Sequence, residues 1–232
     1  MKLFSKIRDI FQVLIPSMIF NFHYLPFKQA VRLPILLKKP NFRKLEGKVI
    51  IDNKNIHQGM IRLGFNISNV YPDSGISWLN EGTIIFKGTA QIGSDSYIVV
   101  RQTGSIEFGD DFLSTAATKI VSCIGISFGQ HTLIGWSVTI IDTDFHPLYD
   151  IDKARFNDAY GKIEIGDCNW ISTQCMIMHS VHTPENCVFG ARSVLTRNRQ
   201  YESYCVYAGS PVHVVKRNTI RKIGQDLITN YE

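Results

Sequence analysis

Residues 165–198 read IGDCNWISTQCMIMHSVHTPENCVFGARSVLTRN, and their spacing decides the fold. Ile165, Ile171 and Ile177 fall six apart, Phe189 and Leu195 continue the register, and Thr183 fills the slot between. An amphipathic helix repeats every 3.6 residues and a strand every two, so a period of six demands another geometry. Six residues make one short strand and one corner. Three such sides close a coil of roughly 18 residues, and coils stack about 4.8 Å apart through parallel backbone hydrogen bonds. The repeated apolar residue then points inward. The same six-residue spacing recurs upstream in separate registers: Phe128, Ile134 and Ile140 form one, Ile92 and Ile98 another, and Phe108 and Ile120 stand twelve apart with Ser114 between them. A glycine follows several of these residues, as in Ile92-Gly93 and Ile134-Gly135, and is expected to ease the corner. Residues 84–210 would hold about seven such coils.

Composition agrees. The chain has 232 residues, 44% hydrophobic and 19% charged, which excludes disorder as its main state and suffices to bury a core. Isoleucine outnumbers leucine by 30 to 14, a bias towards side chains that pack well on pleated surfaces. The net charge of +5 is segregated: +9 over residues 1–62, −8 over 63–191, +6 over 192–222 and −2 in the last ten. A uniformly basic nucleic-acid binder does not look like this, and no nucleic-acid partner is expected. The five cysteines are odd in number and include no C-x-x-C pair, which argues against a zinc ribbon or a disulfide framework. Cys175 and Cys187 sit among the repeats and read as packing residues. Reduced thiols and the lack of a signal-peptide pattern in MKLFSKIRDIF point to the cytoplasm.

Residues 10–27 carry no charged side chain, but Pro16, Pro26 and several polar residues interrupt them, so a membrane-spanning helix fits poorly. Ile7, Ile10, Phe11, Leu14, Ile15 and Met18 recur at helical spacing beside Lys2, Lys6 and Arg8. Two readings stay open. One is an amphipathic helix and arm packed on the protein's own body or on a neighbouring subunit. The other is a peripheral anchor, through residues 1–44, on the inner face of an anionic membrane.

Residues 165–198, followed by YAGSPVHVVKR at 207–217, resemble the C-terminal half of the hexapeptide-repeat acyltransferases. FGQHTLIGWSVTIIDTDFHPLYD at 128–150 is similar to their polysaccharide O-acetyltransferase and maltose/galactoside acetyltransferase branches. The resemblance implies an all-β, left-handed parallel β-helix with an N-terminal helical arm and a short C-terminal helix. The expected division is arm 1–48, β-helix 49–212 and helical tail 213–232. It also implies acetyl-CoA as acyl donor with no metal, a saccharide acceptor, a role in bacterial surface polysaccharide biosynthesis, and a homotrimer with active sites between subunits. Handedness comes from the resemblance alone, since the usual preference for right-handed crossovers points the other way.

Ile140 and Ile165 stand 25 apart, not a multiple of six, so an excursion lies between them at 142–162. Polar loops on rigid scaffolds tend to carry function. The resemblance matches His146, followed by Pro147, to the catalytic histidine of the acetyltransferases. The chemistry agrees, because a neutral sugar hydroxyl is a weak nucleophile and an imidazole titrating near neutrality can take its proton. Asp142 or Asp144 would orient that imidazole. No G-x-S-x-G elbow is present, which favours direct attack over an acyl-enzyme.

By resemblance, residues 166–217 line the coenzyme A groove. Trp170 would lie near the active site, Thr173 and the Ala191-Arg192-Ser193 corner would meet the pantetheine arm, and Thr196, Lys216 and Arg217 would lie towards the nucleotide. Arg192 stands where many relatives have glycine. Three rival readings remain: N-acetylation of a nucleotide-linked amino sugar, a metal-dependent hydratase using His146, His179 and His182, and a non-catalytic scaffold.

Overall fold

Ile165, Ile171 and Ile177 fall on three different parallel sheets, and each finds its partner one coil away. The structure, a computed structural model, describes residues 2–197 and 199–224, without the side chains of residues 2–10. On the first face, Leu37, Leu63, Ile92, Ser114, Ile134, Ile171, Phe189 and Tyr207 stand in register. On the second, Trp78, Ile98, Ile120, Ile140, Ile177 and Leu195 do the same. Phe86, Phe108, Phe128, Ile165 and Thr183 form the third column. All of these residues are buried, and apart from the polar Ser114 and Thr183 they share one hydrophobic core. Because register places like beside like, the rings of Phe86, Phe108 and Phe128 stack at 5.1 and 5.6 Å.

The corners are built differently from expectation. The turn residue lies three positions after the inward one and has a left-handed backbone without being glycine, as at Ala117, Ser137, Gln174 and Arg192. The glycines directly after inward residues answer a different need, close approach of the next coil. A Cβ on Gly93 would lie 1.8 Å from the Thr115 carbonyl oxygen.

The β-helix starts earlier than residue 49. Strands Ile35–Leu37, Pro40–Leu45 and Lys48–Ile51 already form the first coil. Its period is hidden because extra corner residues lengthen the early turns. Leu37 and Leu63 are paired 26 residues apart, whereas Ile171 and Phe189 are paired 18 apart. The expected helical tail is corrected at its start. Val212–Arg217 is a strand, antiparallel to Cys205–Gly209, whose alternating Val212 and Val214 suit a half-covered pleat. Residues 225–232 of that tail lie outside the described residues.

The arm is a helix, α1 (Lys2–Tyr24), followed by the short α2 (Phe27–Ala30). It packs on the β-helix, but not through the apolar stripe. Ser17, Phe20 and Asn21 are fully buried, while Phe11, Leu14, Ile15 and Met18 are exposed. The side chains of Lys2, Lys6, Ile7, Arg8 and Ile10 lie outside the described residues. The reason for the inversion is the open edge of the first strand, whose backbone groups have no coil beneath them. Asn21 Oδ1 accepts from Ile35 N at 3.2 Å, and its Nδ2 donates to the Ile35 carbonyl at 2.6 Å. Ser17 Oγ accepts from Leu37 N at 2.9 Å. Two side chains thus do what a further strand would do.

Replacing Asn21 by leucine leaves the Ile35 N–H and carbonyl buried without partners. A loss of about 1–3 kcal/mol is expected, read as a lower urea midpoint at unchanged slope.

Candidate active site

The repeat breaks after strand Thr139–Ile141 on the second face and resumes at Ile163–Ile165 on the third. The excursion between them is a closed finger. Its stem pairs Thr143 with Tyr160, Asp144 N donates to Ala159 O at 2.6 Å, and Gly161 N donates to Asp142 O at 3.0 Å. Its outer part pairs Tyr149–Asp150 with Arg155–Phe156. His146 lies on the rising limb, after the left-handed Phe145. It is exposed, its N–H donates to the Asp144 carbonyl at 2.7 Å, and its imidazole has no partner among the described residues.

The two aspartates have separate fates. Asp142 is fully buried. Its carboxylate accepts from Cys123 N, Ile124 N and Gly125 N at 2.7–2.9 Å, and from Ser122 Oγ at 2.8 Å. All four bonds go to the neighbouring coil, so Asp142 does not orient His146 and instead fixes the root of the finger. Burial and this carboxylate push the Cys123 thiol up, which removes it as a nucleophile beside the loop. Asp144 Oδ2 lies 3.1 Å from His179 Nε2, and His179 Nδ1 lies 3.1 Å from Ser180 Oγ. His179 is 5% exposed and holds the finger to the next coil. Its role was invisible in sequence because the inserted finger hid which coils stack. Further along, Arg197 donates to the Asp158 carbonyl at 3.1 Å. His182 faces Glu164 at 3.0 Å. Among the described residues no group of three His, Cys, Asp or Glu side chains is placed to hold a metal.

Trp170 stands on strand Trp170–Ile171 of the first face, beside another corner. Together with Trp136, Leu133, Thr115, Gly135, Ser172 and Thr173 it lines a recess of about 200 Å³ at the edge of the first face. Trp136 escaped the sequence reading, although a tryptophan on an outward repeat position is a usable signal. Thr173 Oγ1 donates to the Trp136 carbonyl at 2.9 Å. One coil further on, Arg192 N donates to Thr173 O at 3.0 Å, and Arg192 Nε to Gln174 Oε1 at 3.0 Å. Ala191 and Arg192 are exposed along this corner, but Ser193 is fully buried and gives its hydroxyl to Gly190 O at 2.6 Å. Ser193 therefore builds the turn and offers no side chain to a ligand. Thr196 lies beside Arg197 at the finger's edge, away from Thr173 and Arg192. Lys216 and Arg217 lie on the last strand of the first face, where Glu202 pairs with Arg217 and Lys216 is exposed. Burial pushes the Cys187 thiol up to about 12, in keeping with packing rather than catalysis.

Asp142 and Asp144 separate cleanly in experiment. Asp142→Ala strands three N–H groups and is expected to cost about 3 kcal/mol in a denaturant melt, whereas the half-exposed Asp144→Asn stays within about 0.5 kcal/mol of wild type.

No family model matches the chain. A protein from the cps region of Klebsiella pneumoniae, an uncharacterized 24.8 kDa protein, is 26% identical over 198 residues, covering 85% of each chain. The crystal structure of the polySia-specific acetyltransferase NeuO superposes with a TM-score of 0.53 at 20% identity, covering 82% of this chain and 92% of that one. The polysialic acid O-acetyltransferase OatWY gives 0.49 at 19% identity, covering 82% and 94%. The likeness to NeuO shows the fold: this chain is a left-handed parallel β-helix of hexapeptide coils.

Proposed function

We propose that the protein is an acetyl-CoA-dependent O-acetyltransferase acting on a sugar hydroxyl, with His146 as general base. The observation that carries this reading is His146 itself, an exposed imidazole with no side-chain partner among the described residues, on a finger rooted at three points in a rigid scaffold. His146 takes the proton of the acceptor hydroxyl as its oxygen attacks the thioester carbonyl. The carbon–sulfur bond then breaks, and the imidazolium returns the proton to the departing thiolate, so the histidine ends each cycle neutral. Structural relatives that act as acetyltransferases, and a relative from a capsule (cps) region, support the reaction class and a place in bacterial surface polysaccharide assembly.

The donor fits the Trp136–Trp170 corner. Its apolar walls suit the pantetheine chain, and the exposed corner residues Ala191 and Arg192 lie one coil further along its path. Lys216 is the best-placed remaining cation for phosphate, because Glu202 already neutralises Arg217. The Arg192 side chain, lying along the corner against Gln174, narrows the groove where a glycine would leave it open.

The finger leaves from the edge between the second and third faces, whereas the tryptophan recess lies at the edge of the first. Base and donor come from different corners, which supports a homotrimer whose sites form where the finger of one copy meets the recess of the next. Acetyl-CoA places the reaction in the cytoplasm.

His146→Ala is expected to lower acetyl transfer by about 10²–10⁴-fold with coenzyme A binding and melting unchanged. Screening nucleotide sugars and oligosaccharides with acetyl-CoA by mass spectrometry identifies the acceptor. Wild-type protein that neither binds coenzyme A nor consumes acetyl-CoA with any of them would sink the proposal. Light scattering is expected to give the mass of three chains.

A further inference from the structure

The arm is inside out. Its polar residues Ser17 and Asn21 are fully buried against the first coil, while Phe11, Ile15, Met18, Ile19 and Phe22 are each 44–55% exposed on the opposite side of α1. The Phe22 ring meets that of Phe27 at 6.0 Å, and Phe27 is 72% exposed, so the apolar surface runs on into α2. Isolated exposed apolar residues need no explanation, but a continuous apolar helix face marks an interaction site.

Charge identifies the partner. No acidic residue occurs between Asp9 and Glu46, while Lys28, Arg32, Lys38, Lys39, Arg43 and Lys44 lie in that span. Asp73 pairs with Lys38 and Lys39, and Glu81 with Lys44. Lys28 and Arg43 are exposed and have no acidic partner among the described residues, and Lys28 and Arg32 directly follow the exposed Phe27 and Val31. Apolar side chains adjoining Lys28, in a stretch that carries only basic charge, match the boundary of an anionic bilayer, where the rings enter the acyl region and the cations meet lipid phosphate. A second copy would bring the same cations face to face across a shared apolar patch. Among the described residues no helix is long and apolar enough to cross a membrane, so such contact is peripheral.

We propose that the outer face of α1, continued through Phe27, docks the protein on an anionic lipid bilayer, with the β-helix standing away from it on the capping face of the same helix. This docking is independent of the acyl-transfer chemistry.

Co-sedimentation of the full chain with vesicles tests it, comparing phosphatidylcholine alone with phosphatidylcholine containing phosphatidylglycerol. Binding to the mixed vesicles is expected, and at least about tenfold less to the neutral ones. Ile15→Glu/Ile19→Glu changes only exposed positions, so it is expected to melt like wild type while losing vesicle binding by a similar factor. Lys28→Glu/Arg43→Glu is expected to remove the preference for phosphatidylglycerol. The idea is overturned if wild-type protein ignores the mixed vesicles, or if Ile15→Glu/Ile19→Glu binds them as well as wild type does. It is equally overturned if that variant drops to a smaller oligomer in light scattering, since the face would then lie between copies.

Discussion

A parallel β-helix satisfies its backbone only through the coil above and the coil below. Each N–H and carbonyl of a coil points along the axis, so coils are stable in the stack and exposed at its ends. Everything else in the molecule answers to that axial ladder. Side chains must stack directly over one another, which is why Phe86, Phe108 and Phe128 lie ring upon ring. Corners must repeat in place, which is why residues as different as Ala117, Ser137, Gln174 and Arg192 share one left-handed conformation. Such a backbone costs a non-glycine residue roughly 1–2 kcal/mol, and the ladder bonds of the whole coil offset it.

The same ladder explains both ends of the body. At the start, Asn21 and Ser17 present amide and hydroxyl groups where a strand would present its backbone, and an α-helix is thereby turned with its polar side inward. At the other end the chain folds back as an antiparallel strand, Val212–Arg217, over Cys205–Gly209. Tyr201 fills the space beneath, its ring against both Phe189 and Tyr207. One end is closed by side chains and the other by a reversed strand, because both supply hydrogen-bonding partners without demanding another coil.

These requirements decide what a sequence can disclose. The later coils were legible because Ile165, Ile171, Ile177, Phe189 and Leu195 keep strict six-residue spacing. The first coils were not, because corner insertions lengthen the path between Leu37 and Leu63 without moving either from its column. The finger was legible as a break in period, and His146 was singled out within it by the resemblance of the DTDFHP stretch together with its loop position. The fate of Asp142 was not legible. An acidic residue just before a histidine-bearing turn suggests catalysis, and only the neighbouring coil shows that Cys123, Ile124 and Gly125 already use its oxygens. The inversion of α1 was likewise hidden, since hydropathy alone sends apolar residues inward and ignores an edge that needs amides.

The finger inherits its usefulness from that rigidity. A loop of this length on a flexible support would spread its histidine over many positions, and the general-base role proposed for it would tolerate little misplacement. Here the stem closes on itself through Thr143 and Tyr160, Asp142 locks its root into one coil, and His179 grips Asp144 from the next. Arg197 reaches the Asp158 carbonyl on the returning limb. These contacts draw on successive coils, whose spacing is itself fixed by the ladder. Among the described residues nothing restrains the His146 imidazole, the group proposed to meet the substrate. The scaffold therefore constrains the backbone around the histidine while its side chain stays exposed, the arrangement that the proposed general-base role requires.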